Sequence, residues 1–332
     1  MTMNTTDKVL LLLQQQINQP ISGETLARQL GVSRTAIWKA IQKLREQGYL
    51  ISSQTNQGYR LSSKTDMLDK KEIKQRLIRG FKDWQIETYQ TIDSTNRRAK
   101  EFAEQNPGQS AIIIADEQTA GRGRLGRKFY SPNKTGLYIS ICLSPKDLSY
   151  ESISLITAQT AVSTSRAIET ISNESVKIKW VNDLYMRDKK VCGILSEAIT
   201  DIESNQVQAL IIGIGINLSV PDEGFPEELT EIATTVFAPN EMNHCTRNDL
   251  AVAVLNQWLL AFNELPDTGF IQEYRKRSNI LNKPVRVIQG KEAFNAFAYD
   301  IDNRGRLLVK ASTGRLHHLS YGEVSIRQLP QH

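Results

Sequence analysis

Between Gln118 and Lys128 the chain alternates glycine with arginine. Gly121, Gly123 and Gly126 interleave with Arg122, Arg124 and Arg127, and Lys128 closes the run. Glycine lets backbone amides approach an anion closely, and a guanidinium offers paired donors to a phosphate or carboxylate. Such a segment can hold an anionic small molecule. So many glycines disfavour a regular helix or strand, so a mobile loop that orders on its ligand is expected. The same composition also suits a solvated basic loop, or an Arg-Gly-Arg arm in an A·T-rich minor groove.

Three other stretches carry groups of the same kind. Lys179-Trp180-Val181-Asn182-Asp183 stands at the end of an apolar strand, and Lys190 follows the charged run Arg187-Asp188-Lys189. An amphipathic edge strand, a plain Asn182-Asp183 turn and a surface hairpin would also explain these residues. Gly213-Ile214-Gly215-Ile216-Asn217 closes a strongly apolar strand. Glycine inside a strand often marks a close approach of ligand or backbone, and the spacing is not that of a dinucleotide fingerprint. Asp93-Ser94-Thr95-Asn96 is a polar cluster ahead of a helix, which an ordinary N-cap also explains. No Walker P-loop, HExxH motif or Ser/His/Asp arrangement is present. The four histidines, His244, His317, His318 and His332, are poorly placed for metal.

These groups need elements to position them. At 332 residues, 40% hydrophobic and 23% charged, the chain is long enough for two or three globular domains. The longest early apolar run, Val9 to Leu13, is far short of a membrane span, and no signal peptide is evident. A cytoplasmic location is expected. Cys142, Cys192 and Cys245 are odd in number and widely spaced, which fits buried thiols and neither disulfides nor zinc. From Met67 to Ser278, helical patterns alternate with apolar strands at Ala111–Ala115, Leu137–Leu143, Val176–Val181, Val191–Ala198 and Val207–Ile216. The longest helices are expected at Tyr150–Ile171 and Arg247–Leu265, the latter opened by a Thr246/Asp249 capping box. From Asn279 onward, short apolar runs at Val285–Ile288, Ala293–Ile301, Arg306–Lys310 and Val324–Ile326 read as a small β-barrel. The fold class is α+β and multidomain.

The net charge of +5 is uneven, because residues 1–63 carry seven cations against three carboxylates. A basic head on a near-neutral body points to a polyanion partner. Asp7 is placed to cap a first helix, a second runs from Gly23 to Leu30, and Ser33 caps a third that Gly48 ends. Ile37, Ile41 and Leu44 form the inner face of the third helix, and Arg34, Thr35, Trp38, Lys39, Gln42 and Lys43 the outer one. Two short strands around Tyr49–Ile51 and Gly58–Leu61 would make a wing. This is a winged helix-turn-helix pattern, for DNA or, alternatively, for protein docking.

Taken together and in order, these motifs resemble the biotin protein ligase family, in its regulatory class that doubles as biotin-operon repressor. The resemblance runs from Ser22-Gly23-Glu24 and Gly31-Val32-Ser33-Arg34 to Lys283-Pro284-Val285 and Gly322–Arg327. It implies a winged helix-turn-helix over 1–63, a linker over 64–69, a central mixed-sheet ligase domain over 70–278 and an SH3-like domain over 279–332. It implies that ATP with Mg²⁺ converts biotin to biotinyl-adenylate, and that a lysine of a biotin carboxyl carrier protein then takes the biotinyl group. Biotin would be held by Ser94, Thr95, Asn96, Gln118, Gly121 to Arg124, Lys190, Gly193, Gly213 and Gly215. ATP and the adenylate would meet Arg122, Arg124, Arg127, Lys128, Trp180, Asn182, Asp183, Asn217 and Arg327. Lys190, Arg122, Arg124 and Asp183 would serve the chemistry, with Asp183 a Mg²⁺ ligand or a base. Glu24 would join the outer face of the third helix on operator DNA, and the ligand would promote a homodimer. Val181 stands where the family usually has proline, and Leu125 where arginine can occur. A ligand sensor without catalysis and a lipoate ligase remain as alternatives.

Overall fold

The computed structural model describes residues 4–46, 49–54, 58–65, 67–81, 83–144, 150–200, 207–238, 245–265, 267–320 and 322–326. The chain divides into two compact units, one of residues 1–69 with 240–249 and one of residues 70–239 with 250–332.

The first unit holds α1 (Thr5–Gln15), α2 (Gly23–Leu30), α3 (Arg34–Glu46) and the strands β1 (Tyr49–Gln54) and β2 (Gly58–Thr65). Asn4, not Asp7, caps α1: its extended backbone lets its side chain accept the Asp7 N–H at 3.0 Å. Asp7 lies in the first turn, where its charge faces the positive end of the helix. Ser22 caps α2, Gly31 leaves it at φ +66°, and Ser33 accepts the Ala36 N–H at 3.1 Å to open α3. Gly48 lies outside the described residues. Val9, Leu13, Leu26, Ile37, Ile41, Leu44, Ile51 and Leu61 are buried together as one core. β1 and β2 pair antiparallel, and Tyr49 pairs with Thr65. Lys64 and Thr65, expected in a linker, are therefore strand residues, because the wing ladder extends past the apolar run.

The second unit is built on a seven-stranded mixed sheet. In chain order it holds α4 (Lys70–Arg76), β3 (Gln85–Ile92), α5 (Thr95–Gln105), β4 (Ala111–Gln118), β5 (Gly136–Leu143), α6 (Tyr150–Ser172), β6 (Lys177–Lys179), β7 (Asp183–Met186), β8 (Lys189–Thr200), β9 (Val207–Asn217), α7 (Glu227–Thr230), α8 (Arg247–Asn263) and α9 (Phe270–Arg277). Strand order is β3-β4-β5-β9-β8-β7-β6; β3 and β4 are parallel and every other pair is antiparallel. The central strands read as unbroken apolar runs because both faces are covered. On one face Ala111, Ile113, Cys142 and Ile211 pack against Ala99 and Phe102 of α5. On the other, α6 lies against β8, with Thr157 Oγ1 2.8 Å from Ser196 Oγ. Trp258 of α8 donates from Nε1 to Thr160 of α6 at 3.0 Å. The Thr246/Asp249 capping box forms in both directions, at 2.9 and 3.1 Å.

Helices α6 and α9 are joined by an ion-pair ladder. Arg277 pairs with Glu169 at 2.6 Å and with Glu273 at 2.8 Å, and Arg166 also reaches Glu273. Burial pushes both carboxyls up, but hydrogen bonds and charge from the arginines, joined at Glu169 by the Val176 N–H, together outweigh it and leave them below their ordinary value. The three cysteines are free and buried. Burial pushes the Cys142 thiol up to about 11 and Cys192 higher still, so neither is a nucleophile.

The C-terminal strands β10 (Lys283–Gln289), β11 (Glu292–Ile301), β12 (Leu307–Ala311), β13 (Leu316–Leu319) and β14 (Glu323–Ile326) form an antiparallel sheet in the order β13-β12-β11-β10-β14. The expected strand at 176–181 is shorter than its hydropathy suggests. It stops at Lys179, and the chain turns through the cis Trp180–Val181 peptide before β7 starts at Asp183. No described helix is long and apolar enough to cross a membrane.

Candidate active site

The edge of the α5 face of the sheet is a shelf of small residues. Gly193 pairs with Gly215 across β8 and β9, and Ser140 of β5 lies opposite Gly213. A Cβ on Gly213 would fall on the Asn96 amide, 2.9 Å from Cγ, and one on Gly215 would fall on the Phe129 ring, 2.9 Å from Cζ. Glycine is required here because other groups pass over the backbone, as the sequence pattern implied. A cavity of about 470 Å³ opens above the shelf, a size suited to a small organic ligand.

The start of α5 closes one end of the cavity. Ser94 is the N-cap, and Ser94, Thr95 and Asn96 are all buried. Thr95 donates its backbone N–H to Gln118 Oε1 at 2.9 Å, and Gln118 Nε2 donates to Ser131 Oγ at 3.0 Å. Asn96 Nδ2 donates to Glu197 Oε2 at 2.8 Å, while its Oδ1 accepts from Ser140 Oγ at 2.6 Å. The cluster is thus an N-cap and a cavity wall at once.

The Gly-Arg segment is a folded hairpin. Arg122 and Lys128 bridge, the Gly123 N–H donates to Arg127 O at 2.7 Å, and the Phe129 N–H donates to Gly121 O at 2.9 Å. Its tip turns through Leu125 at φ +56° and Gly126 at φ +75°. Leu125 is 74% exposed and does not line the cavity, so an arginine there would not be needed to close it. Arg124 points inward, donating to Asn182 Oδ1 at 2.9 Å and to Gly322 O at 3.2 Å. Arg122, Gly123, Arg127 and Lys128 also line the cavity; Gly121 is buried beneath Phe129 O and Ser131 Oγ instead.

The opposite wall comes from β7 and β8. Their hairpin turns at Arg187 and Asp188, both at positive φ, as an ordinary surface hairpin would. Beyond that turn Lys190 Nζ lies 2.8 Å from Asp183 Oδ1, and Asn182 Nδ2 donates to the same oxygen at 3.1 Å and to Ile194 O at 2.8 Å. Arg124, Asn182, Asp183 and Lys190 therefore form one continuous chain along the cavity. Trp180 is buried, with its Nε1 donating to Gly305 O at 3.0 Å, and Asn217 donates to Thr234 O at 3.1 Å; both line the cavity. Arg327 lies outside the described residues.

Several lining residues carry no motif of their own: Phe129, Tyr130, Tyr138, Phe225, Leu229 and Ile232. Tyr130 and Phe225 meet edge-on at 6.5 Å, and Ile232 O accepts the Lys190 N–H at 2.8 Å. Scattered aromatics and aliphatics are indistinguishable from core in a sequence; an apolar residue inside a loop was the sole available signal.

In the first unit, Glu24, Arg34, Thr35, Trp38, Lys39 and Lys43 are exposed and Gln42 is half-buried. Trp38 is 52% exposed, which a packing role would not permit.

Comparison with known proteins agrees with this fold. Residues 88–217 match the Biotin/lipoate A/B protein ligase family, residues 5–60 an HTH domain, and residues 280–327 the Biotin protein ligase C terminal domain. The bifunctional ligase/repressor BirA of Escherichia coli is 30% identical over 312 residues, covering 92% of each chain. The chain belongs to the biotin protein ligase family. BirA of Bacillus subtilis is 36% identical over 225 residues, 68% of each chain. Among solved structures, the Aquifex aeolicus biotin protein ligase in complex with biotin and ATP aligns with a TM-score of 0.61 at 29% identity. It covers 74% of this chain and 99% of that one. This chain carries the HTH domain over residues 5–60, and the relative that it matches over 92% of both chains is named a bifunctional ligase/repressor.

Proposed function

We propose that the chain joins biotin to ATP as biotinyl-5′-AMP, transfers the biotinyl group to a lysine of a biotin carboxyl carrier protein, and represses transcription through its winged helix. The observation that carries this reading is the cavity in which the Arg124–Asn182–Asp183–Lys190 chain faces the glycine shelf. The two substrate anions repel each other, and the cations Arg122, Arg124, Arg127, Lys128 and Lys190 offset that repulsion. In the first step a biotin carboxylate oxygen attacks the α-phosphorus of ATP and pyrophosphate leaves. Charge that grows on the α-phosphoryl oxygens is met by Lys190 and Arg124. No base is required, since a carboxylate is already ionised near neutral pH. In the second step the carrier's neutral lysine amine attacks the acyl carbon, the bond from that carbon to the phosphate oxygen breaks, AMP leaves, and the surplus amine proton passes to solvent.

Thr95, Asn96 and Gln118 supply the polar contacts for the biotin ring system, over the shelf of Gly193, Gly213 and Gly215. Trp180, Asn182 and Asn217 lie toward the nucleotide, with Tyr130, Phe225, Leu229 and Ile232 as an apolar wall. The hairpin tip, tied by Arg124 to Asn182 and Gly322, covers the mixed anhydride against water.

Lys190 and Asn182 share Asp183 Oδ1, which leaves Oδ2 as the oxygen that would meet Mg²⁺ or a proton. Among the described residues no cluster of three His, Cys, Asp or Glu could hold a metal. Magnesium would then accompany ATP, bound largely by phosphates and water.

A cytoplasmic, ligand-dependent homodimer would place two winged helices on a palindromic operator. The test of the reading is ATP–pyrophosphate exchange. Biotin should drive it and lipoate should not; a pure sensor would bind biotin with no exchange.

A further inference from the structure

Glu197 lies on β8 beside the cavity and is not one of its lining residues. One carboxylate oxygen accepts from Asn96 Nδ2 at 2.8 Å and the other from Lys100 Nζ at 2.6 Å. A carboxylate that meets donors on both oxygens only accepts, so it holds the Asn96 amide with its nitrogen toward Glu197. The second hydrogen of that nitrogen is aimed at Leu195 O, 3.5 Å away. Asn96 Oδ1 therefore faces Ser140, whose single hydroxyl proton is committed to it at 2.6 Å.

Thr95 is the next link. Its Oγ1 has two protein partners, Gln118 Oε1 at 3.0 Å and Ser140 Oγ at 2.8 Å. With the Ser140 proton drawn to Asn96, Thr95 gives its own proton to Gln118 Oε1. The Thr95 hydroxyl therefore offers the cavity lone pairs and no proton. If Asn96 turned over, Ser140 would donate to Thr95 and consume a lone pair.

We propose that Glu197 is a positioning residue that, through Asn96 and Ser140, keeps both Thr95 lone pairs free of protein donors, so that Thr95 accepts an N–H of the ligand. The inference rests on the biotin reading, because the ureido group of biotin is the part of that ligand that carries N–H donors. It names the discrimination the site makes: a ring N–H is taken and an isosteric acceptor is refused. An unpaired buried polar group is costly, which is why a fixed polarity discriminates strongly.

The test is calorimetric binding of biotin and, separately, of ATP to the full chain and to three variants. Glu197→Met removes the acceptor at similar volume. Glu197→Asp keeps the charge but withdraws the oxygens by about 1.5 Å, one carbon–carbon bond. Lys100→Met removes the ion pair and leaves the acceptor. A biotin analogue with one ureido N–H replaced by oxygen is measured alongside. The expected result is a tenfold or greater loss of biotin affinity in Glu197→Met and Glu197→Asp, with ATP affinity within twofold. The preference for biotin over the analogue should shrink in both, and Lys100→Met should stay within threefold throughout. Biotin affinity within twofold of wild type in the Glu197 variants overturns the proposal. So does equal loss of biotin and ATP, or a Lys100→Met defect as large as that of Glu197→Met. Should Glu197→Met fail to fold, the comparison of Glu197→Asp with Lys100→Met decides alone. If the unmodified chain binds no biotin, the reading of the cavity fails first, and that outcome is distinct from a normal Glu197 variant.

Discussion

Replacing Gly213 with alanine puts one methyl group where the Asn96 amide crosses the sheet. The new Cβ would lie 2.9 Å from Asn96 Cγ and 3.0 Å from Nδ2. Real Cβ contacts are longer, and Asn96 cannot yield freely because Ser140 and Glu197 hold both ends of its amide. Overpacking of this kind costs about 1–3 kcal/mol, and each buried hydrogen bond broken to relieve it costs a similar amount. Thr95 is adjacent in sequence and moves with Asn96. If about 1.4–2.8 kcal/mol of this falls on the bound state, the Kd for biotin rises about 10- to 100-fold. Calorimetry with biotin and thermal unfolding read the two parts separately, and Tm should fall by roughly 2–10 °C for a body of this size. Gly193→Ala is the control, because its Cβ would meet the movable ends of Phe129 at 3.1 Å and Lys190 at 3.2 Å, and it should cost less biotin affinity. A Gly213→Ala protein with unchanged Tm and a biotin Kd within twofold of normal would refute the close-approach argument.

Lys190→Ala should lower adenylate synthesis by about 10²-fold or more, the scale for removing one preorganised charge contact, while the fold survives. Undiminished pyrophosphate release would remove Lys190 from the chemistry. Lys39→Ala and Lys43→Ala, on the exposed face of α3, should each weaken operator binding and reduce the slope of log K against log salt by about 1. An unchanged slope would move the DNA contact elsewhere. The ladder of Glu169 and Glu273 with Arg166 and Arg277 gives an acid limit. Both carboxyls are held below their ordinary value of 4.5, so their stabilisation is fully present above that pH and is lost as pH falls through the lowered native values. Tm should therefore drop below about pH 4.5, and Arg277→Met should flatten that drop; an identical acid profile in the variant would argue against the ladder.

Much of the fold is legible in hydropathy, and the exceptions have physical causes. β4, β5 and β9 are buried on both faces over most of their length, so their apolar runs announce them. β3 is an edge strand of alternating polar residues, and β7 is a four-residue piece opening at Asp183, where Asn-Asp reads as a turn. In the wing, pairing of Tyr49 with Thr65 carries β2 beyond its apolar core into residues that look like linker. The cavity lining was legible wherever glycine or charge broke a pattern, at Gly213 and Gly215, along the run from Arg122 to Lys128 and at Lys190; Gly193 came only from the family resemblance. It was silent for Phe129, Phe225 and Ile232, whose lining role depends on tertiary placement. Asp183 shows the remaining limit. Its type suggested a metal ligand or base, and its 2.8 Å ion pair with Lys190 depends on a strand register that the sequence does not show.

The most direct measurement is mass detection of the product after incubating the full chain with biotin, ATP and Mg²⁺ in the absence of carrier protein. The account predicts biotinyl-5′-AMP, formed with release of pyrophosphate and retained by the protein. A folded, biotin-binding chain that yields no adenylate, or one that forms it from lipoate and not from biotin, would contradict it.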